Sequence, residues 1–467
     1  MTLFVGIDDT DSRRAMCTTF VATELIARAR ALGWDLLGYP RLVRLNPNIP
    51  WKTRGNGALC LRIGQGEGPS DPVGVVEGQE VRAYVSGRAE LSEEALIRIA
   101  QETVLELADL SEPGTQPGLV VTRRRPPEGL YWRAVREVVN LSEIVPLLDR
   151  AEASFAPKGP RGLIGALAAI AWRPQDRTFE VLAYRERPRW GTSREIASQD
   201  VAVLEDRFPR TFDNYDAEAD HMAIAPRSPC PVLFGIRGEG PKELPWALAT
   251  VRGEPIERWF LFETNQGTDD HLVQRRVEEL RPHTSGILEG RVQEAPRTAR
   301  GGHVVFSLTD GAEVDCVAYE PSKSFRRVVR LLRPRDRIRV YGSYRQAPPA
   351  LNLEKLEVLD LSDERVKLAN PRCPVCARSM KSAGRAAGYR CRRCGTRAVP
   401  EAARFASLVR GLAEGLHEPP VSARRHLSRP LKRLTPLHEA LATVRMESAR
   451  MSIPESSSSS SMVNAGM

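Results

Sequence analysis

Leu3-Phe4-Val5-Gly6-Ile7-Asp8-Asp9-Thr10-Asp11-Ser12 opens the chain with an apolar run that ends in three carboxylates within four positions. Asp is a poor strand residue, so the acids mark where a first strand stops. From Thr18 to Ala31 apolar residues recur at helical spacing (Phe20, Val21, Leu25, Ile26, Ala29), and the hydroxyls of Thr18 and Thr19 suit an N-cap. A strand, a turn and a helix in that order put Asp8, Asp9 and Asp11 at the carboxyl end of a strand, where α/β and α+β proteins place ligands. Acids gathered there hold Mg²⁺ through hard oxygen ligands or act as general bases. The plainer alternative is a turn whose Asp and Ser side chains cap local amides. Three acids beside free hydroxyls favour the metal.

At 467 residues the chain exceeds one ordinary domain, and its 42% hydrophobic content suffices for several cores. No apolar run approaches the roughly eighteen residues of a membrane span, and no charged-then-apolar signal segment opens the chain. A soluble, cytoplasmic protein with no membrane partner is expected. The formal charge of +9 points to a polyanion, and its distribution says more: from Arg365 to Pro400 there is no Asp or Glu. Four of the eight cysteines (Cys17, Cys60, Cys230, Cys316) are scattered, which fits a reducing compartment.

The other four read Cys373-Pro-Val-Cys376, fourteen residues, then Cys391-Arg-Arg-Cys394. Each CxxC turns two thiolates toward one centre, and two such knuckles complete a tetrahedral Zn²⁺ shell. Four sulfurs leave no open position, so the expected zinc is structural rather than catalytic; a redox dithiol or an iron–sulfur centre is the competing reading. Arg372, Arg378, Lys381, Arg385, Arg390, Arg392, Arg393 and Arg397, with Tyr389, suit a phosphate backbone. Upstream, GILEGRVQEA, HVVFSLTDG and AEVDCVAYE read as three strands, SKSFRRVVRLL as a short helix, and DRIRVYGSYR with LNLEKLEVLDL as two more strands. That order is the order of an OB-fold barrel. Arg326, Arg327 and their neighbours supply charge for RNA, and Tyr341 and Tyr344 are candidates to stack on bases. EAARFASLVRGLAEGL, after the ribbon, reads as a short helix; the basic run that follows, with Arg424 and Arg425, is a candidate RNA clamp, and the Ser-rich end reads as disordered.

The N-terminal half holds three further stretches. Arg44, Lys52 and Arg54 fall in a turn-forming, donor-rich segment before the strand pattern ALCLRIG, and Lys158 and Arg161 in a Gly-spaced turn that feeds the apolar ALAAIAW. Both can present cations and amides to phosphates, although the GxxGxxG spacing of the second matches neither a Walker A loop nor a dinucleotide fingerprint. Thr211-Phe212-Asp213-Asn214-Tyr215-Asp216 is acidic and suits a small cation. CPVLFGIRGE, PKELPWALATV and PIERWFLFETNQGT read as strand, helix and strand, a layer of the ferredoxin-like kind. His271 reads as a lone surface histidine.

Taken in order, GIDDTDS, RLVRLNPNIPWKTRGNGA, RGLIGALAA, TFDN, CPVLFGIRGE, FETNQGTDDHL, the GGHVVF barrel and the CPVC…CRRC ribbon resemble the archaeal tRNA-Ile 2-agmatinylcytidine synthetases from about residue 3 to residue 433. The resemblance implies a multidomain α+β chain: an N-terminal kinase-like α/β domain (1–160, interleaving with the next), a ferredoxin-like, agmatine-binding region (161–278), an OB-fold (284–362), a zinc ribbon (370–398), a basic RNA-binding segment (399–435) and a disordered tail (450–467). It implies a ligase that joins agmatine to C2 of the wobble cytidine of the isoleucine tRNA with a CAU anticodon, so that the tRNA reads AUA. ATP and Mg²⁺ drive the reaction, with AMP and phosphate as products, and no protein partner is implied. Thr18 matches the family's autophosphorylated threonine. Asp8, Asp9 and Asp11 become candidates for metal binding or nucleophile activation, and Arg44, Lys52, Arg54, Lys158 and Arg161 for the triphosphate. Asp213 or Asp216 becomes a candidate to seat the agmatine guanidinium or deprotonate its amine. A non-catalytic RNA-binding or assembly factor and an ATP-dependent protein kinase are the other classes in view.

Overall fold

A computed structural model of the chain describes residues 2–88, 92–363, 365–384, 386–407 and 409–434. Arg385 and the Ser-rich end expected to be disordered lie outside these residues. The described residues divide into two compact units: those within 2–273, 283–285 and 420–434 form the first, and those within 274–282 and 286–419 the second.

The first unit is built on an eleven-stranded sheet: β1 (Leu3–Asp8), β2 (Asp35–Leu37), β3 (Arg41–Arg44), β4 (Gly57–Val76), β5 (Gln79–Arg88), β6 (Gly118–Thr122), β7 (Ala153–Phe155), β8 (Thr178–Arg185), β9 (Thr211–Phe212), β10 (Val232–Gly238) and β11 (Ile256–Thr264). The order across the sheet is β7-β6-β1-β4-β3-β11-β8-β10-β9, and the long β4 also pairs with β2, β5 and β11. All neighbours on the main path are antiparallel except β3 and β11, which run parallel with Glu263 opposite Arg41.

Alternation along β1 decides what lies above and below the acids. Leu3, Val5 and Ile7 enter one core, against helices α1 (Thr18–Ala31) and α2 (Glu93–Leu107). Phe4, Gly6 and Asp8 face the other side, which carries helices α3 (Gly129–Arg136), α4 (Leu141–Leu148) and α5 (Arg161–Ala171). The helix α5 lies so close that a Cβ on Gly6 would stand 2.4 Å from the carbonyl oxygen of Ala166. A Cβ on Gly165 would fall 1.8 Å from Asp8 Oδ2. Two missing side chains therefore let α5 seat directly on the strand end. α1 has the expected bounds, but its N-cap is Cys17, in extended conformation, and no side chain caps the helix; Thr18 and Thr19 already lie within the first turn and are buried.

The second unit contains a closed barrel of five strands, Ser285–Val292, Val304–Thr309, Glu313–Ala318, Arg337–Gln346 and Pro349–Asp360, with the helix Ser324–Arg330 between the third and fourth. The fifth strand pairs parallel with the third and antiparallel with the fourth, and the first pairs with both the second and the fourth, which closes the cylinder. A three-stranded sheet (Lys381–Ser382, Tyr389–Arg390, Arg397–Ala398) carries the cysteine knuckles. Among the described residues, the helix expected over EAARFASLVRGLAEGL does not form. Arg404–Ser407 is a strand paired with Arg365–Ala369, and Gly415–His417 adds to the barrel beside Leu356–Val358. Strand pairing outweighs helical propensity there, helped by Gly411 and Gly415, which disfavour a helix interior. The basic segment read as one element, 399–435, is thus divided: its first part continues the second unit, and Pro420–Leu434 belongs to the first.

The close seat of α5 is open to test. Gly6→Val should cost about 1–3 kcal/mol by overpacking, read as a lower urea midpoint by tryptophan fluorescence, because all seven tryptophans lie in the first unit.

Candidate functional site

One cavity of about 600 Å³ in the first unit gathers most of the residues singled out from the sequence. Asp8, Asp9, Asp11, Thr18, Arg44, Lys52, Arg54, Arg161 and Asp213 line it, and Lys158 and Asp216 do not.

The acid loop forms one wall. Asp9 takes a left-handed backbone, φ 54°, which turns the chain sharply off β1. Its Oδ2 accepts from the Gln116 amide and from Arg161 at the start of α5, each at 3.0 Å. Asp11 is committed elsewhere, accepting from the Thr53 hydroxyl at 2.8 Å and from Arg54 Nε at 2.7 Å. Asp8 is enclosed beneath Gly165. Burial, and next the charge of Asp9, push its carboxyl well above the ordinary range, against the Asp9 amide and Arg161. Burial also raises Asp9, although Arg161 and the Gln116 amide oppose it. Two carboxylates that burial and mutual repulsion both disfavour fit a divalent cation, which would relieve both terms. The three-acid cage expected from the sequence is not formed: among the described residues only the four ribbon cysteines bring three or more ligand atoms within 4.8 Å of one another. Asp8 and Asp9 suit the cation, whereas Asp11 organises the loop through Arg54.

A cationic wall faces the acids. The Arg44 guanidinium lies over the backbone of Gly55 and Gly57, so closely that a Cβ on Gly55 would stand 2.7 Å from its Nη1. Its Nε has no hydrogen-bond partner, and the side chain forms no ion pair among the described residues. Burial, with Arg237 nearby and against the pull of Glu180, lowers its pKa from the usual arginine range. His426 stands between Arg44 and Arg237. The charge of Arg44 first, together with that of Arg237, holds its imidazole well below the usual histidine range, although the residue is exposed. Its Nδ1 lies 2.9 Å from an Arg237 Nη. Guanidinium can only donate, so Nδ1 accepts and the ring proton sits on Nε2. Lys52 hydrogen-bonds the Pro47 carbonyl, and burial followed by Arg425 brings its ammonium down to about 8. With Arg44 forming no ion pair among the described residues and Lys52 bonded to a neutral carbonyl, this wall has the charge to seat an anion. Lys158, expected among them, instead bonds the carbonyls of Leu110 (2.9 Å) and Glu112 and ties down the loop after α2.

The acidic stretch divides in the same way. Asp213, with φ 57°, is buried at the cavity and accepts from Arg424 at 2.6 Å. Asp216 accepts the amides of Glu218, Ala219 and Ser422, the arrangement of a turn cap. Arg424 and Arg425, read as RNA contacts, are taken up inside the first unit, Arg425 by Asn48 at 2.9 Å. His271, expected at the surface, is buried. Sequence reasoning missed Glu180, Arg237 and His426. Glu180 carried a signal, a lone acid in the buried strand TFEVLAYR; there it accepts from Gln266 at 2.6 Å and pairs with Arg237 at 3.3 Å. His426 carried none, because nothing local to the basic run says that it folds back onto the first unit.

In the second unit many candidate RNA contacts are already paired. Arg326 bonds Glu320 at 3.1 Å, Arg337 and Arg339 bond Glu289 at 3.0 and 2.9 Å, and Tyr341 lies half-buried with Lys355 5.3 Å from its ring centre. Tyr344 packs on the barrel core, and Tyr389 is buried in the ribbon. Arg327 is exposed, as are Arg392 and Arg393, which form no ion pair among the described residues. The four Sγ atoms of Cys373, Cys376, Cys391 and Cys394 converge, with separations of 3.4 Å (373 to 394 and 376 to 391) and 3.8 Å (376 to 394). Tetrahedral Zn–S bonds of about 2.3 Å require sulfurs about 3.8 Å apart, so the donor set fits structural zinc.

Comparison with known proteins matches residues 4–158 to the TiaS TCKD domain, 160–271 to the TiaS FLD domain and 370–405 to the TiaS C-terminal zinc ribbon domain. The chain is 38% identical over 440 residues to the isoleucine-tRNA 2-agmatinylcytidine synthetase TiaS of Methanocaldococcus jannaschii, covering 92% of this chain and 98% of that protein. It is 40% identical over 445 residues to the enzyme of the same name from Archaeoglobus fulgidus, covering 93% and 98%. Among solved structures it is similar to a complex of TiaS with its isoleucine tRNA and ATP (TM-score 0.79, 37% identity, 93% of this chain and 98% of that one). It is similar also to a complex of TiaS with the same tRNA, AMPCPP and agmatine (TM-score 0.76, 35% identity, 93% and 97%).

The sulfur geometry yields a direct check. The purified chain should carry one zinc per chain by elemental analysis, and Cys391→Ser with Cys394→Ser should reduce it to a small fraction, since two thiolates cannot complete the shell.

Proposed function

The chain belongs to the 2-agmatinylcytidine synthetase (TiaS) family of isoleucine-tRNA enzymes, and we propose that it uses ATP to attach agmatine to C2 of the wobble cytidine of tRNA-Ile with the CAU anticodon. The observation that carries this reading is the single cavity where an acid pair, an underpaired cationic wall and a guanidinium-binding carboxylate meet.

The C2 carbonyl of cytosine is urea-like and a poor electrophile, and its oxygen does not leave unaided. Phosphorylation of that oxygen makes it a leaving group; the primary amine of agmatine then adds to C2, the C2–O bond breaks and the oxygen departs within phosphate. Each requirement has a counterpart. Arg44, Lys52 and Arg237 balance triphosphate charge, while Arg54 and Arg161 hold the acid loop in place. Asp8 and Asp9 would hold Mg²⁺, which supplies charge neutralisation for phosphoryl transfer. Thr18, buried at the start of α1 and facing the cavity, is the residue we assign to autophosphorylation, where a helix N-terminus favours a phosphate. Asp213 is the assigned guanidinium acceptor and Asp216 its structural neighbour. Trp51, 45% exposed at the cavity, suits stacking on a base drawn out of the anticodon loop.

On this reading residues 1–160 are kinase-like and interleave with a ferredoxin-like, agmatine-binding region at 161–278, and the barrel at 284–362 is an OB-fold. Barrel and ribbon (370–398) grip the tRNA, with Arg327, Arg392 and Arg393 as its contacts, and the enzyme works in the cytoplasm. A non-catalytic assembly factor would have no use for buried acids facing a cation cluster, and a protein kinase would have none for the barrel and ribbon.

Asp9→Ala tests the assignment. Labelled agmatine should enter a tRNA-Ile transcript with the wild type only when ATP is present, and about 10²-fold more slowly or not at all with the variant, while tRNA affinity stays within a factor of two or so by filter binding. Transfer at the wild-type rate by Asp9→Ala would sink the roles given to the acid loop.

A further inference from the structure

The segment Pro420–Leu434 is seated on the first unit by many separate contacts. The carbonyls of His426 and Leu427 accept from the amides of Gly267 and Asp269, each at 2.8 Å, and the Arg429 amide donates to Asp269 Oδ1 at 2.8 Å. Lys432 reaches Glu205 at 2.7 Å and the Thr211 carbonyl at 2.6 Å. Arg433 reaches Glu239 at 2.6 Å and Asp176 at 3.0 Å, and Leu427 is buried in the core under α5. Arg424 lies between these anchors and the Ser422 amide, which donates to Asp216 Oδ2 at 3.1 Å. Its side chain extends to the cavity, where its guanidinium meets Asp213.

That contact is chemically particular. Agmatine is a guanidinium on a four-carbon amine, and an arginine side chain is the same head group on three carbons. Asp213 therefore already holds, within the chain, the group that the proposed substrate would bring to it. A carboxylate at the end of one side chain seats one forked guanidinium well, and two would crowd and repel. Because the segment is fixed on both sides of Arg424, by Ser422 and by residues 426–433, rotation of the Arg424 side chain away from Asp213 leaves the segment seated. Resting on the function proposed above, we infer that Arg424 fills the guanidinium subsite of Asp213 in the agmatine-free enzyme and that agmatine binds by displacing it. Arg424 is then a built-in competitor that sets how much agmatine the site requires, and small amines without a guanidinium are refused because they cannot win the exchange.

A receptor that is competent only in a fraction of molecules shows an affinity reduced by that fraction. Arg424→Ala and Arg424→Gln, the second keeping an amide donor toward Asp213, should both bind agmatine more tightly, about 10-fold if the subsite is filled nine-tenths of the time. The measurement is equilibrium dialysis of labelled agmatine against the full-length chain, paired with the agmatine KM in the tRNA assay, which should fall in parallel. Propylguanidinium should compete with agmatine more strongly in the variants than in the wild type. Adding Asp213→Asn to Arg424→Ala should erase the gain. Unchanged or weaker agmatine binding in both variants, or a gain that survives Asp213→Asn, overturns the displacement. A wild type that transfers no agmatine to tRNA at all overturns instead the function on which it rests.

Discussion

The architecture of the candidate site follows from placing two adjacent carboxylates, Asp8 and Asp9, at the buried end of a strand. Burial alone disfavours their charge, so the fold must bring opposite charge to them and keep bulk away. Gly6 and Gly165 clear the room for α5, and α5 delivers Arg161 to Asp9. The left-handed turn at Asp9 separates the two carboxylates from Asp11, which takes Arg54 and fixes the donor-rich segment across the cavity. The sheet order, with β1 between β4 and β6, sets that strand end beside the Gly55–Gly57 turn leading into β4 and the Gln116 loop leading into β6.

Charge in this chain is not spread as its total suggests. The positive run of Arg424, Arg429, Lys432 and Arg433 is spent inside the first unit against Asp213, Asp176, Glu205 and Glu239, and arginines of the barrel strands are matched by Glu289 and Glu357. The ribbon differs: the sequence has no acid between 365 and 400, and among the described residues the exposed Arg392 and Arg393 form no ion pair. Among the described residues, cations without an ion pair thus remain at Arg392 and Arg393 of the ribbon and at Arg44 in the cavity wall.

Much of this is legible in the sequence, and the pattern of what is not is physical. Period-two alternation and turn residues read the barrel strands correctly, the cysteine spacing reads the converging sulfurs, and Thr18–Ala31 is bounded by its own apolar periodicity. These are local signals. The failures are long-range. Lys158 and Asp216 have the right chemistry for a site but are used by neighbouring backbone, which no spacing rule reveals. The segment after the ribbon reads as an outward-facing clamp because its partners, Asp176, Asp213 and Glu239, lie some two hundred residues away in the chain. Helical periodicity over 401–416 is real but weaker than a free strand edge waiting in Arg365–Ala369.

Whether this chain joins agmatine to a tRNA base is decided at the nucleoside. The wild-type chain is incubated with a tRNA-Ile transcript bearing the CAU anticodon, ATP, Mg²⁺ and agmatine, and the digested RNA is read by mass spectrometry. A wobble cytidine heavier by agmatine less one water, present only when ATP and agmatine are both supplied, is the expected product. An unmodified wobble cytidine under complete conditions, with ATP consumed whether or not tRNA and agmatine are present, would contradict the proposed function.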